Sequence, residues 1–303
     1  MHFSSQLMNI YPGQSNWRKF FILIGSLLLS MATLPAKAEN KTETTSHSLV
    51  AEGYSKLKNG HLDEALVAFG EAIEHDVNNL DARLGQAMIF AEQERHEDAF
   101  AAYDSIIQQN PQHIHAWNGR GLAAFNLEDF DEALFSFQTA VVDQPVNGFF
   151  YESIAWVQMC RGEFDKAAES AKKASLMYSR KGKTSLYPLL IAYFSYHESG
   201  DAENASRALK YASKNKSANH WPAPVIDYLT GKIDEAGLIS FVSDSAEETE
   251  AHTYIGLYMR LLGEVKTAYR HLNWVSQNGD QQVFEYTLAK VLNPQANVVS
   301  VTR

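Results

Sequence analysis

Residues 114–147 read IHAWNGRGLAAFNLEDFDEALFSFQTAVVDQPVN, and this stretch decides the fold. Its phrase Phe130-Asp131-Glu132-Ala133 returns as Leu62-Asp63-Glu64-Ala65, His96-Glu97-Asp98-Ala99 and Phe164-Asp165-Lys166-Ala167. The four alanines, at positions 65, 99, 133 and 167, stand one constant interval apart. A second series of small residues, Gly53, Ala87, Gly121 and Ala155, keeps that period, and the rings Phe69, Tyr103 and Phe137 keep it for three turns. Trp117 and Tyr151 are one period apart, as are Pro111 and Pro145. A fixed period of about 34 residues marks a stack of helix-turn-helix units, each burying its apolar face against its neighbours. Small residues at matched places let paired helices approach closely, and the rings fill the space between one pair and the next.

The unit Ile114 to Asn147 carries Trp117, Gly121, Phe125, Ala133, Phe137, Ala140 and Pro145 at spacings that resemble the tetratricopeptide repeat. The resemblance implies an all-α fold, a right-handed superhelical solenoid of helix-turn-helix repeats. Past Ala167 the register loosens, and Ala205, Ala236 and Ala268 follow at unequal intervals. The expected organisation is a signal peptide over 1–38, a linker over 39–45 and repeats 1–5 over 46–217. A degenerate helical repeat follows over 218–248, then a repeat over 249–282, and a capping helix with a tail over 283–303. Asp63, Glu97, Asp131, Asp165, Glu203 and Asp234 open second helices, where a negative charge complements the helix dipole. Gly60, Gly162, Gly200, Gly231 and Gly263 precede those starts, where the chain turns sharply.

The segment 1–38 is of another kind. Arg18 and Lys19 precede the largely apolar run Phe20 to Leu34, and Ala36-Lys37-Ala38 fits a small-x-small cleavage pattern. We expect a secretory signal cut near Ala38 and an exported, periplasmic protein. The run is shorter than the ~20 residues a membrane-spanning helix needs, and no membrane insertion is expected after cleavage. Cleavage removes three basic residues and no acidic one, moving the formal charge from −10 to −13. So acidic a chain, with no basic cluster, excludes nucleic acid and anionic membrane surfaces as partners. One cysteine, Cys160, forms no internal disulfide and reads as a small buried hydrophobe.

No phosphate loop, nucleophile elbow or His-Glu-x-x-His helix is present in the sequence. His113 and His115 are two apart, a poor spacing for one metal, while His75, His96, His220, His252 and His271 are scattered. We therefore expect no cofactor, no metal and no enzyme, but a scaffold for protein or peptide partners. The tetratricopeptide resemblance implies that first helices line a concave groove. The candidate groove residues are Tyr54, Met88, Asn118, Leu122, Phe125, Trp156, Met159 and Phe194. Four of them, Tyr54, Met88, Leu122 and Trp156, recur at the common period and form a row of large side chains able to anchor an extended or helical peptide. Alternatively they are core, facing neighbouring helices. Basic residues that would clamp a C-terminal carboxylate are absent from this row.

A narrower resemblance lies further along. His220-Trp221-Pro222-Ala223-Pro224 with Gly231-Lys232-Ile233, then Glu250-Ala251-His252-Thr253-Tyr254, then Phe284-Glu285-Tyr286-Thr287-Leu288-Ala289, is similar to NlpI-type bacterial envelope repeat proteins. Such proteins are noncatalytic adaptors that gather a periplasmic protease and peptidoglycan hydrolases, and they form homodimers, so the resemblance implies these partners and a homodimer. They are lipoproteins, whereas Ala38-Glu39 stands here at the cleavage site, which implies a soluble mature protein. The sequence leaves a second function open, an accessory to the assembly or secretion of a pilus or exopolysaccharide. Pro222 and Pro224 should shorten the first helix of their unit, because each lacks an N–H and restricts its predecessor.

Overall fold

The computed structural model describes residues 41–217 and 220–293; the expected signal segment and the tail after 293 lie outside the described residues. Among the described residues fifteen helices follow one another and there is no strand. They are α1 (Lys41–Lys58), α2 (Leu62–His75), α3 (Leu80–Glu92), α4 (His96–Gln109), α5 (Ile114–Asn126), α6 (Phe130–Asp143) and α7 (Gly148–Cys160). Then come α8 (Phe164–Arg180), α9 (Tyr187–Glu198), α10 (Ala202–Asn215), α11 (Ala223–Leu229) and α12 (Glu235–Ile239). The last are α13 (Ser245–Leu261), α14 (Val265–Asn278) and α15 (Phe284–Leu292). Helix α1 already runs through 41–45, the described part of the 39–45 stretch expected as linker. The chain divides into two compact units between Leu127 and Glu128, inside the 114–147 repeat.

In unit 1, α1 pairs with α2 and α3 with α4, and the first helices α1, α3 and α5 lie side by side. The period explains the packing. Phe69 on α2 is fully buried and meets two glycines, Gly53 on α1 and Gly85 on α3. A Cβ on Gly85 would fall 2.3 Å from the Phe69 ring, and Tyr103 covers Gly119 at the same distance one repeat later. Each large ring is thus wedged between its own helix pair and the next. Tyr54 meets the edge of Phe69 at 4.9 Å and donates its hydroxyl hydrogen bond to the Asp81 carbonyl at 3.0 Å. Buried Ser46 donates to the Ala72 carbonyl and accepts from Asn79, tying α1 to the turn before α3.

In unit 2, α7 with α8, α9 with α10, and α13 with α14 form the long antiparallel pairs. Helix α11 has only seven residues: Pro222 stands at its N-cap and Pro224 in its first turn. Aspartates cap four of the helix starts, Asp129 accepting from the Glu132 amide, Asp201 from Asn204, Asp234 from Gly237 and Asp244 from Glu247. The first helices α7, α9 and α13 are in mutual contact through α9. The last helix, α15, touches α14, its chain neighbour, and also α13 and α7.

Candidate partner-binding face

Helical spacing sets the inner face of unit 2. Glu152 and Trp156 on α7 are four apart and share a stripe, as do Glu250 and Tyr254 on α13 and Phe284 and Leu288 on α15. Tyr187, Leu190 and Phe194 form the corresponding stripe on α9. Phe284 stacks on Trp156 with centroids 5.9 Å apart and planes 4° from parallel, and Phe149 leans on Phe284 at 6.5 Å. Phe194 stacks on Tyr254 at 6.0 Å. Trp156 is 1% exposed, and its indole N–H finds no acceptor among the described residues.

Inside this apolar bed sit carboxyl groups. Glu250 accepts from the Trp221 indole at 2.6 Å and from the Tyr187 hydroxyl at 3.2 Å. Glu285, on α15, accepts from the Tyr254 hydroxyl at 2.6 Å, and its other oxygen has no partner among the described residues. Glu152 is buried beside them and acts on the same Tyr187. Glu250 and Glu285 are both fully buried. Burial, and then the charge of Glu285, hold the Glu250 carboxyl well above the ordinary range, against hydrogen bonds from Trp221 and Tyr187 that lower it. Burial likewise pushes Glu285 up to about 7, against the Tyr254 hydroxyl that lowers it. Tyr187 and Tyr254 are raised well above the usual phenol value, first by burial and then by these carboxylates. The arrangement holds a helix in a polar clasp, and it takes up protons near neutrality.

The sequence-derived groove residues fall in two groups. Tyr54, Met88, Asn118 and Phe125 in unit 1, and Met159 and Phe194 in unit 2, are packed inside their units; Leu122 is half-buried. Their side chains face interior neighbours rather than open solvent, because the first-helix stripe is also the stripe that meets the adjoining repeats. Trp156 is different, since part of what buries it is the terminal helix. The sequence reading placed a capping helix with a tail over 283–303 and named no contact for it. The helix α15 does pack on α14, but it also reaches α7, and with it come Phe284 and Glu285, to which sequence reasoning gave no role. The one available signal was an acid set among Phe284, Tyr286 and Leu288 on a helix too short to need it.

Two histidines read as scattered prove to be paired. His252 and His271 place their Nδ1 atoms 2.9 Å apart, His252 stacks on Trp274 at 4.0 Å, and His271 Nε2 lies 3.3 Å from Glu235. Burial pushes His252 down to about 4, with His271 adding to the effect. Among the described residues no group of three or more His, Cys, Asp or Glu is arranged to hold a metal ion. Cys160 is buried, and its thiol is pushed well up by burial, which makes it a packing residue.

Two models of the tetratricopeptide repeat family match the chain, one over residues 50–114 and one over residues 114–141. Residues 50–141 are tetratricopeptide repeats. The helix pairs of solved repeat proteins agree. A MamA structure is 20% identical, covers 64% of this chain and 96% of its own, and has a TM-score of 0.52. MamA from Desulfovibrio magneticus is 16% identical over 58% of this chain and 96% of its own, at 0.53. PilF of Pseudomonas aeruginosa is 12% identical over 78% of this chain and 93% of its own, at 0.52. At these identities the likeness is one of fold, that of a tetratricopeptide solenoid. No curated protein matches the chain. A repeat stack of this kind is a scaffold suited to binding other proteins.

Proposed function

We propose that this chain is a noncatalytic adaptor, exported to the periplasm, that gathers protein partners of the cell envelope, with proteases and peptidoglycan hydrolases as the partner class. The observation that carries the adaptor reading is the run of tetratricopeptide repeats over residues 50–141, whose helices continue in kind through α15. The basic-apolar start followed by Ala36-Lys37-Ala38 supports export. The phrases around Trp221, Glu250 and Phe284 support the envelope partner class. Export is tested by fusing a reporter enzyme that is active only outside the cytoplasm after residue 45 and sequencing the exported N-terminus. The expected start is Glu39; an inactive fusion refutes export. The partner class is tested with a photo-crosslinking residue at half-buried Leu122 and purified envelope proteases and hydrolases of the host. Crosslinks that depend on that position support the reading, and their absence across the set refutes it.

A further inference from the structure

Helix α15 is seated as a ligand would be. A helix that only caps a stack needs to cover the last pair, α13 and α14. Helix α15 also contacts α7, eight helices earlier in the chain, and covers Trp156 with Phe284. Its nine residues are too few to hold a helix alone in water, so the groove holds it folded. Its seat is also compromised, because Glu285 comes in beside Glu250 with no cation paired to either among the described residues: Tyr254 and Glu250 of α13 face it, and Tyr187 of α9 lies near both carboxyls and near Glu152 of α7. On its own helix, Lys290 pairs with Glu128 instead. A short helix held by rings and opposed by clustered acids is one that another helix of the same chemistry can displace.

We propose that the inner face of unit 2 is a receptor groove for a short amphipathic helix, that α15 fills it in cis, and that the partner it fits is a protein helix bearing an aromatic–acid pair with an apolar residue four positions after the aromatic, as Phe284, Glu285 and Leu288 do. This rests on the adaptor reading and deepens it, naming the chemistry of the partner and making α15 the element a partner must displace. Trp156 is the anchor in either occupant, and Tyr254 is the donor that selects the acid.

The test uses the full chain and a fluorescein-labelled peptide of residues 281–293, QQVFEYTLAKVLN, followed by anisotropy. Leu288→Asp places a charge at a buried position and should unseat α15, so the peptide should bind this variant at least tenfold more tightly than wild type. Adding Trp156→Ala to Leu288→Asp should abolish the gain. Hydrogen exchange on the wild-type protein gives an independent measure that does not depend on the variant folding. Amides of α15 should exchange at least tenfold faster than those of α13, because α15 opens without the stack. Exchange of α15 at the rate of α13, or equal peptide binding by wild type and a folded variant, overturns the proposal. Dimerisation of Leu288→Asp in sedimentation overturns the partner assignment in favour of a second copy. Failure of purified envelope proteases and hydrolases to displace the bound peptide from Leu288→Asp, while the peptide still enters the groove, refutes the protease and hydrolase reading alone.

Discussion

Phe69 and Gly85 define what a single residue contributes to this stack. The absent side chain at Gly85 is the space the Phe69 ring occupies, and a Cβ there would lie 2.3 Å from it, with backbone on one side and a fully buried ring on the other. Gly85→Ala should therefore destabilise unit 1 by about 1–3 kcal/mol, the usual cost of overpacking, read as a lower midpoint in urea. A second residue-scale case runs the other way. Gly60, Glu94, Glu128 and Gly162 occupy the same turn in successive repeats, all with positive φ, from 59° to 79°. Glycine adopts that backbone freely, whereas glutamate is strained there. Glu94→Gly should stabilise the protein by about 1 kcal/mol, whereas Glu128→Gly also loses the pair with Lys290. An unchanged midpoint for Glu94→Gly would show that the turn relaxes without cost.

At the scale of the element, the repeat carries its own fastening. The indole of Trp117 donates to the Pro111 carbonyl at 2.8 Å, and the hydroxyl of Tyr151 donates to the Pro145 carbonyl at 3.1 Å, the same bond one period on. A ring in the first turn of a first helix thus holds the turn that delivers the chain to it. Trp117→Phe keeps a ring and removes the donor, and should cost about 1 kcal/mol in a urea titration. These elements were legible because the constant period fixes which residues recur at matched places, and matched places in neighbouring repeats touch. The proline pair Pro222 and Pro224 was legible for a separate reason, since their backbone chemistry fixes where α11 can start whatever surrounds it. The Gly85, Gly119 series was missed, although it keeps the same period, because Ser153 follows where a third glycine would stand.

At the scale of the molecule, the period is silent about contacts that skip repeats, which is why the inner face of unit 2 could not be read. Trp156 was expected to line a groove from its place in the row, but nothing in the spacing pairs α15 with α7, or brings Glu285 to Glu250. That pairing also has a consequence in pH. Glu285 is raised to about 7 in the folded protein, and Glu250 is raised well above its ordinary value, both by burial first. Below the ordinary carboxyl pKa near 4.3, both seated and free forms are protonated and the seat is at full strength. Above it, the seated form binds more protons than the open one, so rising pH favours opening, through about 7 and beyond. The His252 and His271 pair has lowered values and acts with the opposite sign, weakening the fold as pH falls below about 6.5. These histidines face Glu235, Arg270 and Trp274 rather than the carboxyl cluster, so local opening of α15 isolates the carboxyls where global unfolding would mix the two. Protection factors of α15 amides, corrected for intrinsic exchange, should fall by one to two orders of magnitude between pH 5 and pH 8, while those of α9 hold. Glu285→Gln keeps an acceptor for the Tyr254 hydroxyl and removes one titrating group, so it should flatten most of that slope. A slope that persists unchanged in Glu285→Gln would assign the titration to Glu250, and a flat wild-type profile would show that the carboxyl cluster does not govern the seating of α15.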